Sequence, residues 1–335
     1  MSKSLLGIVR ECDNFPYPTE NLALFKATLQ NYYAFKVYGC PNVLGHVPND
    51  IVHAFDFSSS GWTVNHQAQE LILGASSAPN PTTYSNTRMT ETLTSLMALA
   101  LHRISQAPHP QLSRLSRAWR NETFPIRHPG TGEILLEIER SASALFGILS
   151  SGVQLTCYVE DPDRGLLLWI ARRSLTKQTY PGLLDNTAAG GLETRFLKRP
   201  VEAVVREAVE EGSLDEDLVR RGLRCGGAIS YYHVKRPSEG CKAGLLQPEV
   251  EYVYELRLDS RTKPIPGDGE VEGFYLWTVE EVVCALREGE FKLNSAVAVI
   301  DFLVRHGVVT AENEAGYLEI VSRLHRRLDV GIWSL

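Results

Sequence analysis

Between Val201 and Leu214 the chain reads VEAVVREAVEEGSL, and Glu207, Glu210 and Glu211 stand at i, i+3 and i+4. On a helix that spacing sets three carboxylates on one face. Pro200 suits the first turn of such a helix and Gly212 its end. Like charges this close repel unless a cation sits among them. A hard divalent ion that prefers oxygen ligands, Mg²⁺ or Mn²⁺, is the natural partner. Such an ion keeps water and substrate phosphate in its shell, so the chemistry in prospect is metal-assisted attack of water on a diphosphate. The plainer alternative is a solvated acidic face. Arg206 is the single basic residue among seven acids between Glu202 and Asp217, which places it to orient a glutamate.

Upstream, Ala171 to Leu184 reads ARRSLTKQTYPGLL, followed by the glycine pair Gly190-Gly191. Arg172, Arg173 and Lys177 are candidates for binding phosphate, because guanidinium groups meet phosphate oxygens bidentately and lysine serves as a point charge.

The order Arg206-Glu207-x-x-Glu210-Glu211 downstream of Gly190-Gly191 resembles the signature of the Nudix hydrolases. The resemblance implies that Glu207, Glu210, Glu211 and the carbonyl of Gly191 hold Mg²⁺. It leaves the general base among the helix glutamates or the later carboxylates Glu249, Glu270 and Glu272. Glu270 joins Glu207, Glu210, Glu211 and Arg206 in the catalytic set. Where the family has a glutamate eight residues before the arginine this chain has Lys198, and Ser213 replaces the glycine after the paired glutamates. The expectation is that the longer loop from Gly191 to Pro200 carries Lys198 out to solvent, with Glu193 or Glu202 supplying the carboxylate.

Further blocks, GEILLEIERSASALFGI, GLLQPEVEYVYEL, DGEVEGFYLW and NEAGYLEIVSRLHRRL, resemble a narrower group. These are the Nudix proteins of fungi and plants related to thiamine pyrophosphokinase, which carry an extra N-terminal domain. That resemblance implies hydrolysis of thiamine diphosphate, or of its damaged oxo and oxy analogues, to the monophosphate. No G-x-x-x-x-G-K-[ST] loop is present, so a pyrophosphokinase ranks below a hydrolase. A module that binds a phosphorylated ligand without turnover is the other alternative. An isoprenoid-type isomerase would need a cysteine near the glycine turn, where the chain has Asn186-Thr187-Ala188-Ala189.

The elements that must position these groups read as a Nudix-type α/β/α sandwich with a mixed sheet over residues 141–335, preceded by a smaller α/β accessory domain over residues 1–140. Val153–Val159, Gly165–Ile170, Gly226–Val234, Glu251–Leu258 and Asp268–Trp277 have strand patterns, the first two joined by a tight turn at Glu160–Gly165. Val279–Leu286, Asn294–Arg305 and Tyr317–Leu328 read as helices, the second capped by Asn294. Glu137–Leu149 reads as a connecting helix. Earlier, Leu5–Val9 and Met89–Ile104 have helical spacing, Tyr32–Tyr38 and Val43–Val47 strand composition, and Ser76–Thr83 loop composition.

A charge of −6 and scattered basic residues give no electrostatic footprint for nucleic acid or an acidic membrane. Six dispersed cysteines without a C-x-x-C pair argue against a zinc site and for reduced thiols, hence a cytoplasmic protein. The expected partner is a small-molecule diphosphate.

Overall fold

The computed structural model describes residues 2–57, 61–74, 87–107, 114–237, 242–328 and 330. The expected Ser76–Thr83 loop falls outside them. The chain separates into two units. One comprises Met1–Asn14, Ser151–Tyr231 and Glu249–Arg327, and the other Phe15–Ser150, Tyr232–Pro248 and Leu328–Leu335.

The second unit holds α2 (Leu22–Leu29), β1 (Tyr32–Val37), β2 (Gly45–Pro48), α3 (Asn49–Ala54), β3 (Trp62–Asn65), β4 (Glu70–Leu73), α4 (Thr87–Ser105), α5 (Arg114–Ala118), β5 (Thr123–Arg127), β6 (Ile134–Glu139) and α6 (Ser143–Phe146). Its four-stranded sheet has the order β2-β1-β4-β3, with β1 and β4 parallel and the outer pairs antiparallel. The stripe Leu93, Met97, Ala100, Leu101 and Ile104 of α4 enters one core with Phe35, Leu71 and Leu73 of the sheet.

The reading of Glu137–Leu149 as one helix is corrected. Leu135, Leu136 and Ile138 are buried in the strand β6, which pairs antiparallel with β5. Beyond it a 3₁₀ turn at Arg140–Ala142 leads into the short α6, ended by Gly147 at φ +57°.

The first unit begins with α1 (Leu5–Cys12). It then takes β7 (Ser150–Asp161), β8 (Gly165–Arg173), β9 (Leu184–Asp185), β10 (Ala188–Gly191), α7 (Pro200–Gly212), α8 (Glu216–Gly222), β11 (Leu223–Val234), β12 (Leu246–Arg257), β13 (Val271–Thr278), α9 (Val279–Glu288), α10 (Leu293–Arg305) and α11 (Tyr317–Leu324). The sheet runs β11-β12-β7-β8-β13, with β10 on β7 and β9 on β8. The apolar run GLLLWI of β8 lacks alternation because both sheet faces are covered. Leu168 and Ile170 enter a core with α9, α10 and α11, whereas Leu167 and Trp169 enter the opposite core with α7. This is the sandwich expected from the sequence.

The first fourteen residues belong here rather than with residues 15–150, which differs from a single division at residue 140. The reason lies in α1. Ser4 caps it by accepting from the Gly7 N–H at 3.0 Å. Leu5, Ile8, Val9 and Cys12 form its inner face, buried with α10 and α11. Fully burying each larger aliphatic side chain contributes on the order of 1.5–3 kcal/mol. Behind the helix, buried Asp13 accepts from Arg323 at 3.2 Å and Arg326 at 3.0 Å.

Candidate active site

Helix α7 has Pro200 at its first turn, and it ends at Ser213, whose φ of +47° takes the left-handed cap conformation. Its buried face is Ala203, Val204, Glu207, Ala208 and Glu211. Two of the three glutamates thus lie on the packed face. Residues four apart differ by about 40° around a helix, whereas Glu210 stands about 100° from Glu211. Glu210 accordingly reaches the open side, with 53 % of its side chain exposed. Glu207 and Glu211 thus lie on the packed face and Glu210 on the open side of the same helix.

Both press on β10. Glu211 accepts the Ala189 N–H at 3.0 Å. Glu207 lies across Gly190, where a Cβ would meet its Oε1 at 2.3 Å and its Cδ at 2.4 Å. Gly190 is the glycine packed against the helix; Gly191, whose carbonyl the resemblance names as a metal ligand, pairs with Gly152 of β7. The Thr187 side chain stitches β7 to β8 just before β10, donating to the Trp169 carbonyl at 2.6 Å and accepting from the Cys157 N–H at 2.8 Å.

Burial pushes the Glu211 carboxyl well above the ordinary range, and the charges of Glu207 and Asp185 add to it. The Ala189 N–H and the Lys177 charge oppose the rise. Glu207 is engaged by Arg206 at 2.6 Å. The same guanidinium donates to Glu193 at 2.8 Å, comes within 3.7 Å of Glu210, and lies over the Phe196 ring at 5.0 Å. Burial raises Glu193, but donation from Arg195 and the Arg206 charge outweigh it, and the group ends below its usual range. Glu193 thus supplies a buried carboxylate beside Arg206, while Lys198 is exposed.

The three basic candidates separate. Arg173 is interior: it donates to Asp185 at 2.6 Å, the Tyr180 carbonyl at 3.1 Å and the Thr179 carbonyl at 3.0 Å. With Lys292 at 3.6 Å from Asp185 and Ser295 donating to it, this is a buried framework pair rather than a waiting phosphate ligand. Burial opposes ionisation of Asp185, yet Lys292 and Arg173 keep its carboxyl below the usual range. Arg172 donates to the Gly182 carbonyl at 2.8 Å and stands 5.7 Å from the Tyr275 ring centre, on the partly exposed side. Lys177 pairs with Glu270, whose backbone carbonyl accepts the Ser174 N–H at 2.9 Å.

Sequence reasoning passed over Asp185, Lys292 and Glu251. Glu249, Glu251, Val253 and Glu255 alternate on β12, and a charge within such a face was the available signal. Glu251 is 3 % exposed. Its Oε1 accepts from Asn294 at 3.0 Å, and its Oε2 has no hydrogen-bond partner among the described residues. Burial, with the Glu249 charge, pushes it up to about 8. Asn294 is therefore not the cap of α10; Lys292 holds that position without a side-chain cap bond, and Asn294 serves Glu251.

Among the described residues no three His, Cys, Asp or Glu side chains are gathered into a ready metal centre. The donors that do meet at β10 are carboxylate oxygens, two of them buried and mutually repelling. That chemistry suits a hard divalent ion.

Residues 151–298 match the NUDIX domain family model. The uncharacterized protein YJR142W of Saccharomyces cerevisiae is 39 % identical over 217 residues, 63 % of this chain and 62 % of that protein. Nudix hydrolase 20, chloroplastic, of Arabidopsis thaliana is 36 % identical over 209 residues, 62 % of this chain and 53 % of that protein. The matches therefore span under two thirds of either relative's length. The solved structure of DR0079 from Deinococcus radiodurans is similar at 22 % identity and a TM-score of 0.35, covering 61 % of this chain and 100 % of that one. Residues 151–298 thus match the NUDIX domain model, and the chain is similar to proteins named Nudix hydrolases.

Proposed function

We propose that this chain is a Mg²⁺-dependent pyrophosphohydrolase that cleaves a small-molecule diphosphate, with thiamine diphosphate and its oxo and oxy analogues as substrates and the monophosphate as product. The observation that supports it best is the placing of Glu207 and Glu211 on the buried face of α7 against the bare backbone of β10, within electrostatic reach of Lys177. Acids brought together at the cost of their own desolvation mark a site that a cation completes.

Glu207 and Glu211 would hold the divalent ion, with Glu210 joining from the open side. When bound, the ion neutralises charge on the diphosphate oxygens and acidifies water. Arg206 is a positioning residue, fixing Glu207 through a guanidinium that Glu193 holds in turn. Lys177 and Arg172 lie toward the solvent side of the basic run and would meet the phosphate oxygens. Glu270, salt-bridged to Lys177, sets that lysine's direction and is the carboxylate outside the helix suited to accept a proton from water. Arg173 maintains the framework through Asp185.

The test is phosphate release from thiamine diphosphate, its oxo and oxy analogues, ADP-ribose and nucleoside diphosphate sugars, with and without Mg²⁺. Turnover of a thiamine compound that needs Mg²⁺ and falls at least a hundredfold in Glu211→Gln is expected. Absence of turnover across the panel, with ligand binding retained, would favour the second reading, a phosphate-ligand binding module. Arg206 lying directly on Glu207 is the observation that keeps that reading in view.

A further inference from the structure

In the second unit three side chains from separate elements converge on one point. Tyr33 of β1 is 3 % exposed, its ring in the core with Phe35 and Leu71. Its hydroxyl oxygen stands 2.7 Å from Nδ1 of His66 and 3.2 Å from Nε2 of His53. His53 lies in the last turn of α3, and His66 opens the turn after β3. Both histidines are exposed, so the phenol is the floor and the imidazoles are the walls of a site open to solvent. One hydroxyl hydrogen serves only one of the two ring nitrogens, and the other nitrogen must donate back. A closed hydrogen-bonded triad is therefore the plain alternative.

The geometry goes further. The imidazole ring centres are 5.9 Å apart and the rings are inclined by 35°. Each meets the Tyr33 ring edge-on, His66 at 88° and His53 at 86°. With both nitrogens turned to one oxygen, these distances set them roughly 4 Å apart, about twice a metal–imidazole bond. An ion midway between them lies about 2 Å from both nitrogens and from the phenolic oxygen. Two opposed imidazoles with an oxygen at right angles make three corners of a square. That is the tetragonal N,O arrangement of Cu²⁺ or Ni²⁺. The fourth corner, opposite the buried phenol, is left to water.

The frame is held without an ion. The Gln69 side chain donates to the Gln30 carbonyl at 3.0 Å and to Asn49 Oδ1 at 3.4 Å, tying the β3–β4 turn to the start of α3. Asn65 Oδ1 accepts the Ala68 N–H at 3.0 Å and fixes the turn from which His66 projects.

We propose that Tyr33, His53 and His66 form a binding site for one divalent ion of the copper–nickel class, independent of the hydrolase reading. Imidazole nitrogen suits such ions, whereas Mg²⁺ prefers oxygen and keeps its water. On binding, the phenolic proton leaves to bulk water, and each imidazole turns an unprotonated nitrogen to the ion. The ion then ties β1, α3 and the β3–β4 turn together.

The test is titration of the full chain with Cu²⁺ in excess Mg²⁺, which occupies the oxygen sites. Calorimetry reads the affinity, and the phenolate-to-copper absorption band reads the third donor. One equivalent per chain is expected in the tightest class, with that band present. Tyr33→Phe keeps the ring in the core; it should abolish the band and weaken binding about tenfold. His53→Gln and His66→Gln are changes at exposed positions, and each should weaken binding at least tenfold. Unchanged copper affinity in both histidine variants overturns the proposal, as does a tightest site in the wild type that lacks the phenolate band. Absence of a stoichiometric site overturns it too, and leaves the three residues as a hydrogen-bonded triad.

Discussion

Adding one methyl group at Gly190 should separate folding from catalysis. The Cβ of Gly190→Ala would stand 2.3 Å from Glu207 Oε1, 2.4 Å from Cδ and 2.8 Å from Cγ. Ordinary carbon contacts begin at about 3.5 Å, so the Glu207 carboxylate must retreat by roughly 1 Å or more. What yields is the end of a side chain, not backbone, and overpacking of this kind costs about 1–3 kcal/mol. Alanine in place of glycine within a strand returns about 0.5–1 kcal/mol through the unfolded chain. The net loss of stability should thus stay near 1–2 kcal/mol. A reacting group displaced by 1 Å costs on the order of a hundredfold in rate. Mg²⁺-dependent kcat/KM for thiamine diphosphate should therefore fall about a hundredfold in a protein whose melting temperature moves by only a few degrees. Glu207→Ala combined with Gly190→Ala should recover the lost stability and remain inactive. Wild-type turnover in Gly190→Ala, with the fold intact, would refute the assignment of Glu207 to the reaction.

Asp185→Asn removes the charge that Arg173 and Lys292 share in the interior. Breaking a buried pair costs about 3–5 kcal/mol, which should appear as a large drop in urea midpoint with an unchanged slope. His46 should make the second unit sensitive to acid. Burial lowers its imidazole from 6.5 to about 4. The native state then binds fewer protons than the unfolded one, so this contribution is full above pH 6.5 and is lost as pH falls toward 4. Thermal melts of wild type and His46→Leu between pH 7.5 and 4.5 should show a shallower pH dependence in the variant; equal slopes would count against it. Lys198→Glu, at an exposed site, should change Mg²⁺ affinity by less than twofold, since Glu193 already faces Arg206. A tenfold gain would show that the lysine opposes the metal.

Of the strands of the first unit, β7 and β8 were legible because they carry long apolar runs, whereas the short β9 and β10 gave no such signal; α7 was legible because Pro200 opens it and its acids repeat at helical spacing. What one helix cannot show is which of its faces is packed. The spacing makes Glu207, Glu210 and Glu211 equivalent, and only the cores above and below the sheet divide them. Arg173 illustrates the same limit. Its neighbour Arg172 differs from it by one residue, and on a strand one residue is the difference between interior and rim. Asp185 and Glu251 were hidden for a further reason: each acquires its meaning from α10, more than forty residues downstream of Glu251 and more than a hundred downstream of Asp185.

Helix α1 imposes an order of events on synthesis. Arg10 pairs with Glu319 across 309 positions, and the apolar face of α1 is completed by α10 and α11. At about 5–20 residues per second, roughly 15–60 s pass between emergence of α1 from the ribosome and that of its partners. Throughout that interval Leu5, Ile8, Val9 and Cys12 have nothing to close on. This segment is made long before its partners and settles only after them, so an apolar stripe stays uncovered until α10 and α11 are made. Ribosome stalling anywhere before α11 would leave that stripe open.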